Sequence, residues 1–354
     1  MNSPKINRDV NIELLRVVAM LFIVALHYLG KGGALSSAKY LSANYIFSWT
    51  IEAFCAVAVN CYVIISGYYL INSQFKLDKF ILLWLQVWLY STGIYGALII
   101  AGLARLNIFD AAQSLFPVLT SHYWFITSYM GLYLLSPFLN IAIKSITKKQ
   151  MEILLFIIIG MFSVWKSLNP IFETFDPTKG YGVIWFVCLY IIAAYLRLYW
   201  HSNVNKYWYL LVYVLISVLV FLSKITIRYY LPDVSFENLY YEYNSISILT
   251  SSIGLFLFFR ELKIKNGNFC RLIVAISPLM LGVYLIHEQV VLRSILWINI
   301  LHVDTYVESI MFIPISVLII IAVFSGCTLI EAIRFKLFAL FEKRKCQGGF
   351  TVNY

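Results

Sequence analysis

The chain has 354 residues, of which 61% are hydrophobic and only 12% are charged, and its mean hydropathy is +0.81. Soluble domains carry about 25% charged residues, so this composition excludes an ordinary soluble protein and indicates an integral membrane protein. The net charge of +10 could suggest nucleic-acid binding, but basic loops between membrane spans explain it better, and we predict no nucleic-acid partner.

Ten apolar segments, each near the length needed to cross ~30 Å of hydrocarbon, follow one another along the chain. They cover residues 11–30, 46–70, 78–103, 122–142, 150–167, 181–199, 207–224, 244–260, 272–292 and 308–333. A cytoplasmic N-terminus places most of the 27 Lys and Arg residues on the cytoplasmic side, as the positive-inside rule requires. We therefore predict one all-α, polytopic membrane domain over 1–354, with cytoplasmic tails 1–10 and 334–354.

The first span carries two ionisable side chains, Arg16 and His27, separated only by apolar residues. At ~100° and ~1.5 Å per residue, His27 lies within roughly 20° of the helix face of Arg16 and about 16.5 Å further along the axis. Ionisable groups are costly inside hydrocarbon, which makes both residues candidates for a functional site. The alternative is that Arg16 reaches the headgroups while His27 hydrogen-bonds a neighbouring helix.

The second span adds polar residues at two depths. Glu52 lies near its outer end, at a depth similar to that of His27. This depth predicts a carboxylate–imidazole pair between the two residues. The alternative is that Glu52 lies at the level of the lipid headgroups. Asn60 is followed, deeper in the span, by Ser66 and Gly67, and such small residues favour close helix packing.

Two later spans carry further candidates. The fourth begins with His122-Tyr123-Trp124, which is typical of an interfacial aromatic belt, although aromatic faces also stack on sugar rings. In the ninth, helical rise places His287 roughly 22–24 Å from the cytoplasmic end, level with His27. The two histidines either line one cavity or make separate interhelical hydrogen bonds.

The sequence carries no further motif that points to a cofactor or a metal. The six cysteines show no C-x-x-C spacing or disulfide framework, and no phosphate loop, zinc motif or nucleophile elbow is present, so no metal is predicted. A cleaved signal peptide is not expected, because the first span is too long for one and contains Arg16 and His27.

Taken in order, these segments resemble the acyltransferase 3 family of integral-membrane acyltransferases, which modify bacterial surface polysaccharides and related acceptors. The matching segments are Glu13-Leu14-Leu15-Arg16 with His27, Ile65-Ser66-Gly67-Tyr68, Trp124-Phe125 with Leu132-Tyr133-Leu134-Leu135-Ser136-Pro137, and Gly282-Val283-Tyr284-Leu285-Ile286-His287. The chain departs from the family at Lys76-Leu77-Asp78-Lys79, where many members carry paired arginines. Lysine keeps the charge there but loses the bidentate fork for phosphate.

The resemblance implies an O-acyltransferase in the bacterial inner membrane, in contact with membrane lipids. It implies acetyl transfer from acetyl-CoA to a hydroxyl of a surface polysaccharide or its lipid-linked precursor. His27 would act as a general base or as a transient acyl carrier. The resulting site predictions are Arg16, His27 and His287 for catalysis and Glu52, Asn60, Tyr68, Lys79 and Trp124 for substrate binding.

Donor cations on the cytoplasmic side and histidines in the outer half predict a continuous polar path through the first, second and ninth spans. A glycan flippase or polymerase without acyl transfer is the main alternative. The chain lacks the two matching halves with Gly/Pro-broken helices that are typical of transporters. It also lacks a large outer loop, which a polymerase would need for the glycan. A structural or sensor protein would leave Arg16 and His27 unexplained.

Overall fold

The computed structural model describes residues 9–169, 175, 178–231, 236–265 and 267–347, with side chains up to residue 338. Within these ranges the chain forms helices and connecting turns and no strand. Eight helical segments are long and apolar enough to cross a membrane. The all-α, polytopic bundle predicted from the sequence is thus confirmed.

The α-helices are numbered in chain order. They are α1 Val10–Lys31, α2 Ala34–Ser37, α3 Ala43–Cys55, α4 Ala58–Leu70, α5 Leu77–Ile100, α6 Ile108–Leu115, α7 Trp124–Ser145, α8 Lys148–Ile159, α9 Trp165–Leu168, α10 Val183–Leu198, α11 Lys206–Tyr230, α12 Ile246–Arg260, α13 Gly267–Ile276, α14 Met280–His287, α15 Val290–Ser294 and α16 Phe312–Gln347. We call the side of the bundle at the start of α1 the inner side and the side at its end the outer side.

Each predicted span corresponds to one helix or to two consecutive helices, but two of the helices are short. Helices α10 and α12 have 16 and 15 residues. They rise only about 24 and 22 Å, less than the ~30 Å hydrocarbon core. Helix α10 packs against α4 and α7, and α12 packs against α11 and α4. Neighbouring helices therefore shield much of their surface from lipid.

The ninth span is interrupted and ends earlier than predicted. Helix α13 is followed by a single 3-10 turn, Ser277–Leu279, before α14 begins. Pro278 explains the interruption, because proline has no N–H for the helical hydrogen-bond ladder. Helix α14 ends at His287 instead of residue 292, and Gln289 starts a new helix by accepting a hydrogen bond from the N–H of Leu292.

The last helix runs beyond residue 333, where the sequence predicts the end of the tenth span. Helix α16 continues to Gln347, and residues 348–354 and 1–8 lie outside the described residues. Next to the predicted boundary, Arg334 forms an ion pair of 2.6 Å with the buried Glu331, which also accepts hydrogen bonds from Tyr90 and Gln86 of α5. These contacts join α16 to α5 at the point where the sequence predicts the start of a tail.

Helix α4 packs closely against α10 at Gly67, which confirms the prediction that this small residue allows close helix packing. A Cβ atom at this position would lie 2.9 Å from the Cβ of Ala193 and 3.1 Å from the Cα of Tyr190. Both distances are shorter than ordinary van der Waals contacts, so only glycine fits without moving a helix. This contact holds α4, and with it the wall of the site described below, against the centre of the bundle.

Replacing Gly67 with leucine should therefore force α4 and α10 apart. Overpacking costs roughly 1–3 kcal/mol, so the protein should lose its folded, monodisperse form in detergent at a lower temperature. Gly93→Leu is the matched control, because a Cβ atom added at Gly93 would have no other heavy atom within 4 Å. Equal melting temperatures for the two variants would contradict the packing account.

Candidate active site

An elongated cavity of about 850 Å³ lies beside α1. Residues from both ends of this helix, Arg16 and Lys31, line it. They are fifteen residues apart, so the cavity follows about 22 Å of the helix axis. Further lining residues come from α3, α4, α7 and α14, and they include Glu52, Tyr62, Trp124 and Tyr284. The first, second and ninth spans thus meet around one cavity, as predicted.

His27 lies at the centre of a hydrogen-bonded group that joins α1 to the end of α14. Its Nδ1 is 2.9 Å from Nε2 of His287 and 3.3 Å from a carboxylate oxygen of Glu288. The His287 side chain is fully buried, while that of His27 is 17% exposed and borders the cavity. The structure shows neither of the two arrangements left open by the sequence, because the histidines hydrogen-bond to each other and only His27 lines the cavity.

The hydrogen bonds determine which nitrogens carry protons. Nδ1 of His287 lies 2.6 Å from the carbonyl oxygen of Val283, and a carbonyl can only accept, so this Nδ1 is protonated. In the neutral ring Nε2 of His287 is then an acceptor, and Nδ1 of His27 must donate to it. It follows that Nε2 of a neutral His27 is unprotonated and available to the cavity.

Glu288 is a site residue that the sequence analysis missed. A helix extending to residue 292 would place it about 100° away from His287 on the helix surface. Because α14 ends at His287, Glu288 is its C-cap residue and both side chains reach His27. Arg293 pairs with Glu288 at 2.5 Å and supplies its counter-charge. The sequence does place an acidic residue directly after the histidine. Whether that residue can reach His27, however, depends on where the helix ends.

Glu52 does not pair with His27, so that predicted contact is wrong. The carboxylate within ion-pair distance of His27 is Glu288, whereas Glu52 lines another part of the same cavity. Aromatic residues that include Trp124 and Tyr243 line this cavity as well. Burial, and to a smaller degree the neighbouring Tyr181 and Glu52, raise the pKa of Tyr243 well above its ordinary value. Its phenol therefore stays protonated and can donate a hydrogen bond.

Arg16 lies at the inner end of the cavity. Its side chain is 35% exposed, and its ion pair with Glu13 is long, at 3.9 Å. The hydroxyl of Tyr62 donates to its backbone carbonyl and fixes the local position of α1 against α4. Most of the guanidinium donors therefore remain available to an anionic group in the cavity.

The other three predicted substrate-binding residues do not line the cavity. Asn60 is fully buried, donates to the carbonyl of Tyr243 and accepts from the indole N–H of Trp185. Tyr68 lies beneath the guanidinium of Arg197, 4.7 Å from ring centroid to carbon.

Lys79 is exposed near the start of α5, one turn before the cavity-lining Leu83. Direct contact of these three residues with a substrate stays a prediction.

Comparison with known proteins identifies a family whose model covers most of the chain. A family model described as an acyltransferase domain, Acyl_transf_3, matches residues 9–332 of the chain. The match extends from the start of α1 into α16 and includes every residue assigned above to the cavity. No curated protein and no solved structure matches the chain.

Proposed function

The chain belongs to the acyltransferase 3 family, and we propose that this integral-membrane acyltransferase transfers an acetyl group from acetyl-CoA to a hydroxyl of a surface polysaccharide or its lipid-linked precursor. The observation that carries the proposal is one cavity that contains both a basic inner end, at Arg16, and an unprotonated imidazole nitrogen, Nε2 of His27. Acyl transfer needs these two features: cations for the phosphates of the donor and a base for the acceptor hydroxyl.

The donor would enter from the inner side. Arg16 would bind a phosphate of acetyl-CoA, with Lys79 in support near the entrance, one helical turn from the cavity wall. The extended pantetheine arm would then follow α1 toward His27, which lies about 16.5 Å further along the axis. This direction of entry requires that the inner side faces the cytoplasm of a bacterium and that the protein resides in its inner membrane.

The reaction would take place at Nε2 of His27 as general base. As the acceptor oxygen attacks the thioester carbonyl, its proton passes to Nε2, a C–O bond forms and the C–S bond breaks. The departing CoA thiolate takes the proton from His27, so the imidazole returns to its neutral state. Glu288, 3.3 Å from Nδ1, would stabilise the transient imidazolium, and His287 would hold the ring in position.

His27→Ala should abolish transfer of acetyl groups to the cell-surface glycan. Loss of a general base costs about 10²–10⁴-fold in rate. The measurement is the acetyl mass increment on surface glycans from cells that produce the variant at wild-type abundance. His201→Ala is the matched control, because His201 is exposed and lies away from the cavity. Near-normal acetylation in well-produced His27→Ala cells would contradict the proposed role.

Arg16→Lys should weaken acetyl-CoA binding even though the charge is kept. An ammonium cannot reproduce the planar, bidentate contact of a guanidinium with phosphate. We expect about a tenfold rise in the Kd of acetyl-CoA for the purified variant, which corresponds to ~1.4 kcal/mol. Arg105→Lys, in an exposed connection between α5 and α6, should leave the Kd unchanged. An unchanged Kd in Arg16→Lys would instead favour a role in membrane positioning alone.

A further inference from the structure

Glu52 differs from the other well-buried acidic residues of the described chain in having no basic partner. Four acidic side chains are at most 12% exposed and face an arginine or a lysine: Glu13 with Arg16, Glu242 with Lys166 and Lys179, Glu288 with Arg293, and Glu331 with Arg334. For Glu52, no Lys, Arg or His nitrogen of the described residues lies within ion-pair distance, and Oε2 is buried without a hydrogen-bond partner.

An uncompensated carboxylate inside a membrane protein is costly. Its burial is tolerated when a partner, water or ligand satisfies the charge, which makes such a residue a candidate for a binding site. Glu52 borders the cavity, so a ligand can reach it. The cations that line the same cavity, Arg16, Lys31 and Arg293, all lie beyond ion-pair distance of Glu52. A ligand that brings a positive charge would hold Glu52 as a carboxylate and compensate its charge.

Three aromatic rings line the same cavity as this carboxylate. The ring centroid of Tyr181 lies 4.5 Å from that of Trp124 and 4.8 Å from that of Tyr243. Trp124 and Tyr243 are nearly parallel, with 5.9 Å between centroids. All three rings line the cavity together with Glu52. Aromatic faces attract ammonium groups, and a carboxylate next to them supplies the matching charge.

We propose that Glu52, Trp124, Tyr181 and Tyr243 form a subsite for an ammonium group, and that the acceptor is an amino sugar unit of the glycan. The inference rests on the proposed function. The ammonium would pair with Glu52 while the ring stacks on the aromatic wall, which directs a neighbouring hydroxyl toward His27 in the same cavity. A neutral sugar would also stack on the rings, but it would leave the carboxylate without a counter-charge.

The test is equilibrium binding of radiolabelled glucosamine, N-acetylglucosamine and glucose to the full-length protein in detergent, at neutral pH, where most of the glucosamine amine is protonated. The wild type should bind glucosamine at least tenfold more tightly than either uncharged sugar, since tenfold corresponds to ~1.4 kcal/mol. Glu52→Gln should reduce this preference to less than twofold, because it keeps the side-chain shape and removes the charge. Glu52→Asp should retain most of the preference.

Glu152→Gln is the matched control, because Glu152 is an exposed acid that pairs with Lys148 on α8, away from the cavity. It should leave the preference unchanged. Equal binding of the three sugars to the wild type, or an undiminished preference in Glu52→Gln, would overturn the ammonium subsite. His27-dependent acetylation of surface glycans would then still stand. Conversely, glucosamine selectivity without any acetyl transfer would refute the proposed function and leave the subsite intact.

Discussion

Hydrocarbon offers no water to a polar side chain, so an imidazole within the membrane has to find its partners inside the protein. In this chain, the hydrogen bond of 2.9 Å between His27 and His287 meets that requirement. It joins α1, which also packs against α3, α4 and α16, to the end of the interrupted ninth span. Because Nδ1 of His27 is used for this contact, Nε2 is left for the cavity, and one hydrogen bond thereby determines both the packing and the reactive nitrogen.

The end of α14 brings the remaining parts of the site together. If this helix continued, His287 and Glu288 would point in different directions; as it ends at His287, both reach Nδ1 of His27. Arg293, on the short helix that follows, then neutralises Glu288. The break in the helix is thus part of the proposed chemistry, since it places a paired carboxylate where an imidazolium would form. The aromatic residues Trp124, Tyr181 and Tyr243 line the same cavity as Glu52 and His27.

Regular helix geometry explains what could be predicted from the sequence. The spans follow from length and hydropathy. A constant rise and rotation per residue explains the common face of Arg16 and His27 and the shared depth of His27 and His287.

Helix ends and helix rotations could not be predicted in the same way. In a membrane both the lipid-facing and the protein-facing sides of a helix are apolar, so the pattern does not show which side faces inward. For this reason the sequence pairs Glu52 with the wrong residue and gives no role to Glu288. It also groups Asn60 with the substrate-binding residues, although Asn60 lies outside the cavity and hydrogen-bonds to the backbone of Tyr243.

The proposed chemistry requires that neutral His27 is protonated at Nδ1 and unprotonated at Nε2. The most direct measurement is ¹⁵N NMR of histidine-labelled protein in lipid bilayers at neutral pH, with the His27 signals assigned by comparison with His27→Gln. We expect one protonated and one unprotonated nitrogen for His27, with a through-hydrogen-bond or proximity correlation from the protonated one to Nε2 of His287. A His27 protonated at Nε2, or doubly protonated at neutral pH, would contradict it.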